Sequence, residues 1–100
     1  MFLIFNIIAT KTFSKQFSKL NEKSKRIIKT KIDIIRFNPF HYKRIHSKHF
    51  SKIFRVRLNA QGIETRLLYT VLGKNIILIG LLKRKHGYKD LEKYLKSLKD

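Results

Sequence analysis

The sequence predicts a small α+β domain with the element order β-α-α-β-β-β-α, occupying residues 1–100 as a single unit. Three observations predict it: an apolar segment opens the chain, two segments with helical periodicity follow, and three strand-like segments separated by short turns come next. A chain of 100 residues is long enough for one domain with a modest core. Its hydrophobic content of 43% argues against disorder, because this much apolar surface can be buried.

The opening segment, "MFLIFNIIA", is apolar on both alternating faces, which predicts a central strand. It is too short to span a bilayer, which takes about 20 residues. It also lacks the basic start and the cleavage motif of a signal peptide. We therefore expect a soluble, cytoplasmic protein that does not act at a membrane.

The period then changes, and two amphipathic helices are predicted. In the first, Phe13, Phe17 and Leu20 form one apolar stripe, and either Thr10 or Thr12 supplies the cap. The second is predicted over residues 22–37, where an Asn-Pro pair ends it. Two short helices with a tight link form a helical hairpin. The next residues, 40–52, show no clean period and are predicted as a loop.

Residues 53–82 then form a predicted meander of three strands. The segments "KIFRVRL" and "IETRLLYTVL" precede "IILIGLL", which is apolar throughout and therefore internal. "NAQG" and "GKN" are turn signals. From Tyr88 onward, Leu91, Leu95 and Leu98 keep a helical period, which predicts a short C-terminal helix.

The first hairpin of this meander predicts a cluster of arginines. If residues 59–62 form its loop, Arg57 opposes Glu64 and Arg55 opposes Arg66. Like charges directly opposite each other destabilise a sheet, so a phosphate group between these guanidinium groups is one explanation. The alternative is a solvated face on which Arg57 merely pairs with Glu64.

The overall charge also points to an anionic partner. Lys and Arg number 24 against 6 Asp and Glu, which gives a formal net charge of +18. Such an excess repels itself in a compact chain, so nucleic acid, an anionic membrane or an acidic protein is the expected partner. The basic residues are spread over strands and loops, which disfavours a membrane surface. The sequence has no cysteine, so disulfides and thiolate metal sites are excluded.

A second basic group follows the last strand, in "LLKRKHGYKD". This segment places Lys83, Arg84, Lys85 and His86 just before Tyr88, near the end of the same sheet. Arginine is suited to bidentate contacts with phosphate. Tyr88 can stack on a base or transfer a proton, although it also fits the apolar stripe of the last helix.

The segments "TKTFSKQFSKL", "NPFHYKRI", "FRVRL", "TRLLYTV", "NIILIGLLKR" and "GYKDL" occur in an order that resembles the RelE/ParE superfamily of toxins from toxin–antitoxin modules. The resemblance covers nearly the whole chain. It implies a small twisted antiparallel sheet, with the helical hairpin packed on one face and the working surface on the other. The spacing from Arg84 to Tyr88 is similar to that of archaeal-type RelE chains.

For a RelE-like chain, the resemblance implies a metal-independent endoribonuclease, an mRNA interferase that cleaves messenger RNA in the ribosomal A site. The implied catalytic residues are Arg66, Arg84, Tyr88 and His86, with either Tyr88 or His86 as the base. The implied RNA-binding residues are Arg55, Arg57, Lys83, Lys85, Lys43 and Arg44.

No cofactor is required for this chemistry. His41, His46 and His49 match no tight zinc pattern, so we expect no metal site. The resemblance also implies a cognate antitoxin protein as partner, besides the ribosome and mRNA. The alternatives are a ParE-like inhibitor of DNA gyrase and a non-catalytic RNA-binding protein.

Overall fold

The computed structural model describes residues 4–45 and 53–83, and within these residues it shows a five-stranded sheet with two helices on one face. This confirms the α+β class and the order β-α-α-β-β-β, to which one short strand is added. The predicted C-terminal helix lies outside the described residues. The elements are β1 (Asn6–Ala9), α1 (Lys11–Ser18), α2 (Glu22–Phe37), β2 (Lys43–Ile45), β3 (Ile53–Ala60), β4 (Ile63–Leu72) and β5 (Asn75–Lys83).

The order of strands in the sheet is β1-β5-β4-β3-β2. Three of the four pairings are antiparallel, as predicted, but β1 runs parallel to β5, so the sheet is mixed. The prediction that β1 is central was wrong, because it lies at an edge. Its residues alternate between a helix-covered side, where Ile7 packs on the core, and a side on which Ile8 stays exposed.

The loop predicted over residues 40–52 contains β2, which pairs with the start of β3. Lys43 opposes Arg55, and Ile45 opposes Ile53. Three residues are too few to show an alternating pattern, so no strand could be predicted there.

The turn between β3 and β4 contains only Gln61 and Gly62, both with positive φ, at 55° and 77°. Two central residues of this kind form the tight turn that suits the twist of a hairpin. The four-residue loop predicted at 59–62 was therefore wrong, and the register moves by two residues: Arg57 opposes Arg66 and Asn59 opposes Glu64. A shift of two keeps every side chain on its predicted face.

Side-chain caps fix where both helices begin. The Thr10 hydroxyl accepts a hydrogen bond from the amide of Phe13 at 3.1 Å, so Thr10, and not Thr12, is the cap of α1. Asn21 caps α2 in the same way, by accepting from the amide of Ser24 at 2.9 Å. Helix α2 ends at Phe37, directly before the predicted Asn-Pro breaker.

The main hydrophobic core lies between the helices and the sheet. Ile28 and Ile35 of α2 are fully buried there. They pack with side chains of β3, β4 and β5 that point to the helix side, among them Val56, Leu67 and Ile76. Burying one such side chain contributes about 1.5–3 kcal/mol.

Tyr69 ties this core to the segment that leads into β2. Its ring is fully buried and stacks on Phe54, with 5.3 Å between ring centroids. Its hydroxyl donates a hydrogen bond to the Pro39 carbonyl oxygen at 2.5 Å. Burial, and secondarily the nearby Tyr42, raise the pKa of Tyr69, so the buried hydroxyl remains protonated.

We expect Tyr69→Phe to lower the free energy of unfolding by about 1–3 kcal/mol, because the Pro39 carbonyl loses its buried donor. Urea unfolding at neutral pH would measure this. The control is Ser18→Ala, which removes an exposed hydroxyl bonded to the Lys15 carbonyl and should change stability by less than about 0.5 kcal/mol. Equal effects of the two substitutions would contradict the assigned role of Tyr69.

The stability difference between wild type and Tyr69→Phe should also depend on pH. Since the folded pKa of Tyr69 is raised above the unfolded value of about 10, its stabilising contribution is complete below that pH and declines above it. The wild type should therefore lose part of its advantage over Tyr69→Phe as the pH rises above about 10. A constant difference across urea titrations from neutral to alkaline pH would contradict the raised pKa.

Candidate nucleic-acid interface

The face of the sheet opposite the helices carries two cross-strand pairs of cations. Lys43 of β2 opposes Arg55 of β3, and Arg57 of β3 opposes Arg66 of β4. Side chains directly opposite in an antiparallel pair have Cβ atoms about 4.5–5.5 Å apart. Three adjacent strands thus bring four positive charges together. We call Lys43, Arg55, Arg57 and Arg66 the cationic face.

The members of the cationic face differ in burial. Arg55 and Arg66 are each only 7% exposed, whereas Lys43 and Arg57 are exposed. Burial lowers the pKa of Arg55, and the charges of Arg57 and Arg66 lower it further. An arginine remains charged at neutral pH even so. An anion bound among the three guanidinium groups would offset the repulsion between their charges.

An apolar cluster lies on the same side of the sheet as these arginines. It consists of Ile45, Ile53, Leu68, Ile79 and Leu82, all buried. Leu68 lies opposite Arg55, and Leu82 lies opposite Arg66. Charges beside apolar side chains interact more strongly than charges in open water, so the arrangement suits strong anion binding.

Tyr42 is a candidate residue to which the sequence analysis assigned no role. It lines an open depression of about 460 Å³ together with Lys43, Arg55 and Arg57. The ring of His41 lies 5.3 Å from the Tyr42 ring, edge to face. An aromatic ring beside phosphate-binding cations is the usual platform for stacking an unpaired base. The signal in the sequence was the adjacency of His41 and Tyr42 to two basic residues in "HYKR".

The other predicted site residues do not join the cationic face. Arg44 opposes Phe54, and Lys83 opposes Thr65, so alternation places both on the helix side of the sheet. Lys83 lines a separate groove on that side. The remaining predicted residues, Arg84, Lys85, His86 and Tyr88, lie outside the described residues.

The end of β5, from which the predicted catalytic segment departs, is held by Gln16 of α1. The Gln16 side chain donates to the Leu81 carbonyl at 2.9 Å and accepts from the Leu81 amide at 2.7 Å. β1 pairs with β5 only as far as Leu78, so this amide side chain takes the place of a neighbouring strand further along. The helical hairpin thereby fixes the position of Lys83.

Acidic residues are scarce throughout the part of the chain that the structure describes. Glu64 is the single acidic residue of the sheet there, and Glu22 and Asp33 lie on α2. Within residues 4–45 and 53–83, no group of three histidine, cysteine or acidic side chains is placed to hold a metal ion. Neither of the two described helices has the length and apolar character needed to cross a membrane.

The strand order and the one-sided helical hairpin define a RelE-like α+β fold. The structure of the Escherichia coli toxin RelE, determined for a mutant in the free state, matches this chain with a TM-score of 0.70. The match covers 89% of this chain and 93% of that chain, at 15% sequence identity. At such low identity the likeness establishes the fold. No known sequence family and no curated protein matches the chain.

We expect inorganic phosphate to stabilise the protein through the cationic face. At low and constant ionic strength, phosphate should raise the melting temperature by a few degrees, since about 1 kcal/mol corresponds to about 4–8 °C in a domain of this size. Arg57→Gln should raise stability without phosphate by about 0.2–1 kcal/mol, because it removes a like charge opposite Arg66, and should reduce the effect of phosphate.

The matched control is Arg26→Gln, which removes an exposed arginine of the same charge from α2. Differential scanning calorimetry of the three proteins would compare the effects. If phosphate stabilises Arg57→Gln as much as it stabilises wild type and Arg26→Gln, anions do not bind at the cationic face.

Proposed function

We propose that this chain is the toxin of a type II toxin–antitoxin module and acts as a ribosome-dependent mRNA endonuclease of the archaeal RelE type. The observation that supports this most strongly is the pair of like-charge contacts on the cationic face. Opposed cations repel each other across the strands, and a bound RNA backbone would supply negative charge to all of them. The RelE-like fold supports the same proposal.

The proposed reaction needs no metal ion. The ribose 2′-hydroxyl loses its proton and attacks the adjacent phosphorus, while the bond from phosphorus to the 5′-oxygen breaks and that oxygen takes up a proton. The products are a 2′,3′-cyclic phosphate and a 5′-hydroxyl. Negative charge grows on the phosphoryl oxygens, where Arg66 and Arg84 would stabilise it. Tyr88 or His86 would receive the proton of the nucleophile.

The remaining basic residues would hold the RNA strand. Arg55, Arg57 and Lys43 lie beside the Tyr42 ring, so phosphates would bind the cations while a base stacks on Tyr42. Lys85 would add charge to this path, whereas Arg44 and Lys83, on the helix side of the sheet, would attract the RNA only from a distance. The high net charge of +18 would draw the protein to ribosomal RNA in the cytoplasm and strengthen binding at low salt.

A cationic toxin of this kind requires an antitoxin in its own cell. We propose a small, partly acidic antitoxin protein whose binding suppresses the activity. Expression of the chain without that partner should arrest growth.

The decisive experiment is primer extension on a translated message with purified protein, with and without ribosomes. We expect new 5′ ends at A-site codons that require ribosomes. Arg57→Ala should reduce cleavage, and Arg66→Ala should reduce it by about 10²–10³-fold, as is usual when a donor to transition-state charge is lost. The control Lys74→Ala removes an exposed cation from the β4–β5 turn at the other end of the sheet and should cleave normally.

The double substitution of Arg84→Ala and Tyr88→Phe should relieve growth arrest without unfolding the chain, as monitored by circular dichroism. A folded double mutant that stays equally toxic would overturn the assigned site. Intact RNA together with gyrase-poisoned DNA would indicate that the protein is a gyrase inhibitor instead. RNA that is bound but not cleaved would indicate a non-catalytic RNA-binding protein.

A further inference from the structure

A groove on the helix side of the sheet is chemically distinct from the cationic face. It has a volume of about 330 Å³ and lies between the end of α1, the β3–β4 hairpin and the end of β5. Alternation separates the two surfaces, because Ile63, Thr65 and Lys83 point to the helix side while Arg66 points away from it. The groove is lined by Gln16, Lys19, Leu20, Ala60, Gln61, Ile63, Thr65, Leu81 and Lys83.

Gln61 lines this groove and connects the hairpin turn to the helices. Its side-chain oxygen accepts a hydrogen bond from the Asn21 amide at 2.9 Å, and its own amide donates to the Ser24 hydroxyl at 3.0 Å. Both contacts join the hairpin turn to the link between the helices. The groove is therefore a preformed surface, with Gln61 shared by a second depression that contains Lys23.

The surface that the groove offers to a ligand is aliphatic and cationic. Leu20 and Leu81 are partly buried, and Ile63 is 39% exposed. The side-chain nitrogen and the side-chain oxygen of Gln16 both form hydrogen bonds with the Leu81 backbone. Among the residues that the structure describes, the charged side chains lining it are two lysines, Lys19 and Lys83, and no carboxylate lines it.

These properties select one kind of occupant. Nucleic acid is disfavoured, because the described residues that line the groove include no aromatic ring on which a base could stack. A second copy of this chain is disfavoured by its own charge of +18. A polar small molecule would need several convergent polar groups, and the side-chain amide of Gln16 is already held by the Leu81 backbone. We infer that this groove docks an acidic segment of a partner protein, one that places aliphatic side chains on Ile63 and Leu20 and carboxylates on Lys19 and Lys83.

The inference rests on the proposed function only for the source of the segment, which would be the antitoxin. It also implies that this contact leaves the cationic face uncovered, since the two surfaces lie on opposite sides of the sheet. A partner anchored here would need a separate segment to block RNA binding.

The test uses the full-length protein and a labelled peptide of about 16 residues, long enough to form a marginal helix, in which glutamate pairs alternate with leucine pairs. A second peptide replaces every leucine by serine at the same charge. We expect the leucine peptide to bind at least tenfold more tightly than the serine peptide by fluorescence anisotropy. In NMR spectra it should shift the methyl signals of Leu20, Ile63 and Leu81.

Variants locate the binding site. Ile63→Glu should weaken binding of the leucine peptide at least tenfold, and Lys19→Glu should also weaken its binding. The matched control Leu72→Glu places the same charge at a more exposed aliphatic residue, 61% exposed, at the far end of β4, and should bind within twofold of wild type.

Equal binding of both peptides, an unaffected Ile63→Glu variant, or signal shifts confined to the cationic face would each overturn the inference. So would a short RNA that shifts the groove signals more than the leucine peptide does. None of these measurements involves ribosomes or RNA cleavage, so a failure here leaves the nuclease proposal standing. A failure of cleavage likewise leaves the groove in place.

Discussion

Hydrophobic burial on one side of the sheet holds like charges together on the other. Val56 and Leu67 lie opposite each other on the helix side and are almost completely buried, and the next residue along β3, Arg57, opposes Arg66 on the outer side. Burial contributes about 1.5–3 kcal/mol for each such side chain, whereas an opposed cation pair costs at most about 1 kcal/mol. A slip of one residue would put the arginines in the core. The apolar residues therefore determine the register, and the cations stay opposite each other despite their repulsion.

Neutral amide side chains connect the helical hairpin to the sheet. Gln16 bonds the backbone of β5, and Gln61 bonds the link between α1 and α2, while Thr10 both caps α1 and lies 2.9 Å from the Ile79 carbonyl. The chain has only 6 acidic residues against 24 basic ones, so few carboxylates are available to join elements through ion pairs. Hydrogen bonds from uncharged side chains connect the elements instead, and these bonds are not weakened by salt.

Elements with long, repeated patterns could be predicted from the sequence, and those that depend on distant partners could not. The stripe of α2 and the alternation of β3 marked their elements, because each repeats over many residues. Strand β2 is too short for a pattern, and the edge position of β1 depends on its pairing with residues near the other end of the chain. The cationic face was predicted with Arg55, Arg57 and Arg66 on one side, although opposite the wrong partners. Tyr42 was missed because its position beside Arg55 and Arg57 arises only when β2 pairs with β3.

The parallel contact between β1 and β5 has a consequence for how the protein is made. Asn6 is paired with Asn75, so β1 meets its neighbour only after both helices and the strands β2 to β4 have been synthesised. Contacts between residues so distant in the chain form slowly, because closing a long loop costs conformational entropy before the contacts can stabilise the structure. During translation β1 therefore remains unpaired, with Ile7 uncovered, until β5 has been synthesised.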